Sequence, residues 1–285
     1  MSSPFLGSRK SRRKALKLFF TYVALATLVI VLLFPVLWIL SISLKTRLQV
    51  ISTPPLLIWT PTLDNYREVL SKGAFIPGLW NSLLVAGGSV LLSLGIGVPA
   101  AYSMARLRYA GKETIYYILL LMRMLPPIAV LIPMYMLFDA LGIRNTRASV
   151  ALAYTTFSLP VVVWVMRSVF QELPKEIEES ATVDGASRWT TFVQIVLPLT
   201  RPGMVAVAIL CLLVAWNDFL FASVLTSTAT QTLPVLVASY SAFELGVEWG
   251  PLAAAGMLVI TPVILVSILA QKHLVVGLSA GATKG

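Results

Sequence analysis

The sequence predicts an all-α integral membrane protein with six transmembrane helices. Hydrophobic residues make up 58% of the 285 and charged residues only 12%, far from the balance of a soluble globular domain. Apolar runs long enough to cross a bilayer recur along the whole chain. Of the 22 Lys and Arg, fifteen fall on the side assigned to the cytoplasm and six on the outer side, with Arg123 inside a span. That asymmetry orients six spans with both ends inside.

The first 17 residues form a basic N-terminus carrying Arg9, Lys10, Arg12, Arg13, Lys14 and Lys17. The apolar run that follows, about 18–44, is too long for a signal-peptide core and has no small-residue cleavage site after it. It reads as the first span, kinked at Pro35. In the outer connection, residues 46–78, Asp64 is placed to cap a short helix whose Leu63, Tyr66 and Leu70 share one face. Such a helix suits the membrane interface.

The second span covers about 80–104. Ser89, Ser93, Gly97, Ala101 and Ala105 recur at four-residue intervals, a small-residue stripe that admits another helix closely. Static packing explains it as simply as a moving interface does, and is preferred. Arg106, Arg108 and Lys112 mark an inner loop. The third span, about 115–138, contains Arg123 among Pro126, Pro127 and Pro133. An ionisable group at that depth is a site candidate, or else a partner for carbonyls that the prolines free.

The fourth span runs over about 149–168 and returns the chain to a polar stretch, 172–198. There Pro174 suits a first helical turn, Glu176, Glu178 and Glu179 favour the positive end of the dipole, and Gly185 can end the helix. A helix is expected over about 174–183, then a second from Ser187 with Trp189, Phe192, Val193 and Val196 on one face. The fifth span, about 203–225, holds Trp216, Asn217 and Asp218. By helical rise Asp218 lies about 22 Å from the inner end and differs in depth from Arg123 by about 10 Å, so a pairing is not assumed. Asn217 and Asp218 suit hydrogen bonds to a solute in a pathway, or hydrogen bonds between helices. The last span covers about 252–271 and a tail, 272–285, follows; composition alone reads the tail as a frayed end.

Several chemistries are excluded. The sequence has no Gly-Lys-Ser/Thr phosphate loop, a single His273 and a single Cys211, so neither nucleotide hydrolysis by a P-loop nor a metal site nor an internal disulfide is supported. The net charge of +10 follows the membrane-flanking segments and points to lipid headgroups, not nucleic acid. A secondary transporter would often show an internal repeat, and none is convincing here. An enzyme would need a convergent catalytic set that the scattered carboxylates do not form.

The run from Glu179-Ser180-Ala181 through Gly185 to Ile195-Val-Leu-Pro198 resembles the EAA loop of ATP-binding-cassette importer permeases, with Ser180 the one departure. Pro-Thr-Leu-Asp-Asn-Tyr66, Arg-Met-Leu-Pro-Pro127 and the tail from Gln271 to Gly285 resemble the sugar-importing branch, the maltose type. The resemblance implies the type I importer-permease fold with a cytoplasmic coupling helix. It implies Glu178, Glu179, Ser180, Ala181, Asp184 and Gly185 as the residues coupling to the ATPase. It implies Gln271, Lys272, Gly277, Gly281 and Lys284 as the tail's contact with it. Arg123, Trp216, Asn217 and Asp218 are the candidates for the substrate pathway. The implied partners are a second permease, ordinarily a different chain, two ATP-binding subunits, an extracytoplasmic solute-binding protein and the bilayer. ATP and magnesium would be bound by those partner subunits, with no cofactor in this chain. A non-sugar solute is the alternative within the class.

Overall fold

The structure, a computed structural model, describes residues 6–241 and 247–282. Among the described residues thirteen helices follow one another, with no strand. They are α1 (Leu6–Ser43), α2 (Arg47–Val50), α3 (Asp64–Ser71), α4 (Phe75–Arg106), α5 (Lys112–Met124), α6 (Pro127–Ala140) and α7 (Arg147–Glu172). Then come α8 (Glu176–Val183), α9 (Arg188–Leu199), α10 (Arg201–Trp216), α11 (Leu220–Leu225), α12 (Leu233–Ser239) and α13 (Trp249–Ala282).

Four single helices are long and apolar enough to span a membrane: α1, α4, α7 and the first part of α13. Two bent pairs raise the number to six, if each pair is one span. The third span, read in the sequence as one run over about 115–138, is α5 and α6 meeting at 101°. Pro126 lacks an amide hydrogen and forces Leu125 into extended backbone, while Pro127 begins α6 at a position where proline costs nothing. The expected fifth span likewise stops at Trp216, and α11 starts afresh after Asp218. Upstream, α9 meets α10 at 72° around Thr200 and Pro202.

The chain forms two compact units. The first comprises Met1–Val69 and Phe243–Met257. Here Asn65 of α3 donates from Nδ2 to the carbonyls of Ser43 (2.9 Å) and Lys45 (2.8 Å), and the Tyr66 hydroxyl meets Ser43 Oγ at 2.8 Å. The two Asn65 bonds satisfy carbonyls at and just past the end of α1. Lys45 is buried because its Nζ donates to Leu56 O and sits 4.4 Å from the Trp59 ring. The α3 expectation needs two corrections. Asp64 is inside the first turn, and Thr62 Oγ1 accepts its amide; the buried face is Asn65 and Val69, with Leu63 and Leu70 exposed.

The second unit comprises Leu70–Ala242 and Leu258–Gly285, and α4 packed on α7 is its centre. Ser89, Ser93 and Ala101 are fully buried in that contact, and Gly97 lets Val162 approach so closely that a Cβ would sit 2.7 Å from Val162 Cγ1. The small-residue stripe is therefore a helix–helix seam. In the tail, α13 continues past the membrane-length segment through Lys272, Gly277 and Gly281 to Ala282, in place of the frayed end that composition suggests. Lys284 lies outside the described residues.

Candidate functional site

The loop between α7 and α10 is built around α8. Gly185 has a φ of +83°, and the amides of Gly185 and Ala186 return to the carbonyls of Thr182 (3.1 Å) and Ala181 (2.9 Å). This is a Schellman stop, which needs a residue free of a Cβ penalty at the left-handed position. Ser187 Oγ then accepts the Thr190 amide and opens α9.

Beyond its first turn, α9 widens into a π-turn over Thr191–Val196. The one-faced pattern expected for it splits. Phe192 and Val196 are buried, whereas Trp189 and Val193 are exposed. Phe192 packs its ring 4.6 Å from that of Tyr102 on α4, and Tyr102 packs 5.5 Å from Phe170 on α7. An aromatic cluster thus fixes α9 to two membrane-length helices.

A polar joint lies beside that cluster. Arg106, the last residue of α4, donates from Nε to Glu178 Oε1 at 2.6 Å and from Nη2 to the Leu173 carbonyl at 2.8 Å. The Tyr102 hydroxyl donates to the other Glu178 oxygen at 2.8 Å. The Arg106 and Glu178 side chains are only 8% and 17% exposed. One carboxylate is thereby held from two directions by α4, so α8 cannot slide along that helix without breaking a charge-assisted bond. Lys112 reinforces the corner, donating to the Met104 and Leu107 carbonyls, and Arg167 donates to Glu113 at 2.6 Å.

The six residues singled out in this loop separate into two groups. Glu178 and Ala181 face the membrane-length helices, the first in the joint and the second buried. Glu179, Ser180, Asp184 and Gly185 are exposed, together with Val183. Sequence reasoning misses Tyr102 and Arg106 as site residues, since Arg106 enters it only as a topological charge.

Deeper in the same unit, Arg123 and Asp218 line one cavity of about 290 Å³, with Tyr154, Phe157 and Ser158. The depth argument that separates them assumes straight helices, and the breaks at Leu125 and Asn217 invalidate it. They are still not an ion pair. Arg123 Nη1 donates to the Phe157 carbonyl at 2.8 Å, and Asp218 Oδ1 accepts the amides of Phe221 and Ala222 at the start of α11. Trp216 and Asn217 do not line that cavity. Trp216 is buried with Nε1 donating to the Val259 carbonyl at 3.2 Å, and Asn217 Nδ2 donates back to Leu213 O. Both carbonyls served by Arg123 and Trp216 stand three residues before a proline in their own helix, Pro160 and Pro262, where the hydrogen-bond ladder is loosened. Among the described residues no cluster of His, Cys, Asp or Glu is arranged to hold a metal.

The sequence model for "Binding-protein-dependent transport system inner membrane component" matches residues 93–278, a segment that contains the joint, α8 and α9. The chain belongs to that family. It is 36% identical over 89% of its length to the trehalose transport system permease protein SugB of Mycobacterium tuberculosis, covering 93% of that protein. It is 32% identical over 96% of its length to the trehalose/maltose transport system permease protein MalG of Thermococcus litoralis, covering 99% of it. Among solved structures, a chain of a bacterial ABC transporter that imports the acidic polysaccharide alginate superposes with a TM-score of 0.80. That match covers 95% of this chain and 99% of the other at 23% identity, and shows a shared fold. As an inner membrane component, the chain is a multi-pass membrane protein of a permease family.

Proposed function

We propose that this chain is a permease subunit of an ATP-driven sugar importer, and that α8 is the helix through which partner ATPase subunits drive it. The observation that carries the reading is the joint at Arg106 and Glu178. It ties a short polar helix to the end of a membrane-length one and leaves Glu179, Ser180, Asp184 and Gly185 open to a partner. A lever must be stiff on the side of the load and accessible on the side of the engine, and its partner must bind differently in two states.

Full-length likeness to permeases named for trehalose and maltose supports a sugar as the solute. In this reading hydrolysis, ATP and magnesium belong to the partner subunits. A second permease of different sequence completes the pathway, and a solute-binding protein delivers the sugar from outside. The distribution of Lys and Arg supports a cytoplasmic position for both termini, α8 and α9. Gln271, Lys272, Gly277, Gly281 and Lys284 contact the ATPase through the tail, and Arg123 and Asp218 border the solute's route. Uptake of the sugar bound by the cognate solute-binding protein, measured in cells lacking the ATPase subunit, tests this. Uptake should vanish; persistence at the wild-type rate would refute ATP coupling.

A further inference from the structure

A cleft of about 410 Å³ opens beside α8, walled by the end of α4, the start of α8 and the start of α9. Four cations and two carboxylates line it: Arg106, Arg108, Lys175 and Arg188 against Glu178 and Glu179. Arg106 and Glu178 already neutralise one another. Arg108, Lys175 and Arg188 are exposed and make no ion pair among the described residues. One edge of the proposed docking surface therefore carries unspent positive charge, while Glu176, Glu179 and Asp184 on the helix itself carry negative charge and are also exposed.

We infer that the ATPase subunit meets this surface with a two-sign pattern: a groove that accepts the acidic helix, and beside it an acidic edge whose carboxylates enter the cleft between Arg108, Lys175 and Arg188. The inference rests on the importer reading and names the chemistry of its partner. Protein is favoured over an anionic lipid headgroup by the mixed signs. A negatively charged leaflet would attract the cleft but repel the three carboxylates next to it, whereas a folded surface can match both. Complementary charge of this kind fixes the register of docking and speeds encounter. It also makes association sensitive to salt, because the groups are exposed.

The experiment uses the full permease pair, purified in zwitterionic detergent and immobilised, with the isolated ATPase subunit as the probe. Association is measured from about 50 to about 500 mM salt, a range in which the screening length falls below about 10 Å. The triple variant Arg108→Glu, Lys175→Glu, Arg188→Glu should weaken association at low salt at least about tenfold, and Gln at the same positions should flatten the salt dependence. A thermal midpoint equal to wild type confirms that both variants fold. Suppressors of the Glu variant's uptake defect should convert acidic residues of the ATPase subunit to Lys or Arg. Unchanged affinity and salt slope would overturn the proposal. So would a defect that appears only in bilayers containing anionic lipid, which would assign the cleft to headgroups. If the wild-type permease itself retains no ATPase subunit, it is the importer reading that fails.

Discussion

Arg106 Nε lies 2.6 Å from Glu178 Oε1, and the same carboxylate takes the Tyr102 hydroxyl, so α8 moves with α4 or not at all. Removing one partner of a shielded ion pair costs more than the pair contributes, because the survivor keeps its charge without compensation. Arg106→Ala should therefore loosen α8 while leaving insertion intact. In proteoliposomes with the complete transporter, we expect nucleotide hydrolysis to continue while sugar taken up per nucleotide falls several-fold. Arg106→Lys should rescue poorly, since a single ammonium lacks the planar fork whose Nε and Nη2 reach Glu178 and the Leu173 carbonyl in two fixed directions. Equal loss of hydrolysis and uptake would mean that the joint serves docking, not transmission.

Glu179 and Gly185 test the exposed face. Glu179→Lys reverses a charge that has no partner within the described residues, so folding should be unaffected while uptake is lost. Gly185 holds a left-handed φ of +83°, and a Cβ added there would meet nothing within 4 Å, so substitutions are limited by backbone strain alone. Asn and Asp both tolerate that conformation. Gly185→Asn should keep a measurable part of wild-type uptake, whereas Gly185→Asp adds a carboxylate beside Asp184 and should abolish it. Membrane fractionation checks that both variants insert.

Much of the fold was legible because its signals are additive along the chain. Long apolar runs, Lys and Arg counts and the Gly185 stop each report a local preference that the membrane enforces. The breaks were harder to read. Pro126 and Pro127 announce a kink, but its size depends on what packs around them, and 101° is not contained in two prolines. The site divided in the same way. Glu179 and Gly185 could be found from spacing, but the part played by Arg106 depends on α4 and α8 meeting, a contact between residues 72 positions apart.

The seam between α4 and α7 supplies a stability prediction. A Cβ on Gly97 would lie 2.7 Å from Val162 Cγ1, 3.1 Å from Val162 Cβ and 3.2 Å from Leu159 Cδ1, and the short, branched Val162 side chain has little freedom to yield. Gly97→Ala should destabilise the protein by about 1–3 kcal/mol. Val162→Ala should recover part of that loss in the double variant, since the two positions share one contact. Melting of the detergent-solubilised chain, followed by scanning fluorimetry, measures both. Additive effects of the two substitutions would contradict the close approach.

Trp216 and Asp218 stand two residues apart and should behave oppositely. Trp216 is 5% exposed, and its indole nitrogen donates to Val259 O, in the stretch of α13 that Pro262 disturbs. Trp216→Phe keeps the ring but strands that carbonyl, a loss of about 1 kcal/mol. It should lower the melting midpoint by a few degrees, with the KM for uptake unchanged. Asp218 lines the cavity with one carboxylate oxygen committed to the start of α11. Asp218→Asn retains an acceptor for those amides, so its melting midpoint should stay near wild type. Its charge is lost to anything in the cavity, and the KM should rise about tenfold or more, as expected when a charged hydrogen bond of about 1.5–3 kcal/mol is removed. Uptake kinetics and melting measured on the same preparations separate the two roles. A raised KM in Trp216→Phe would place the indole in contact with solute after all.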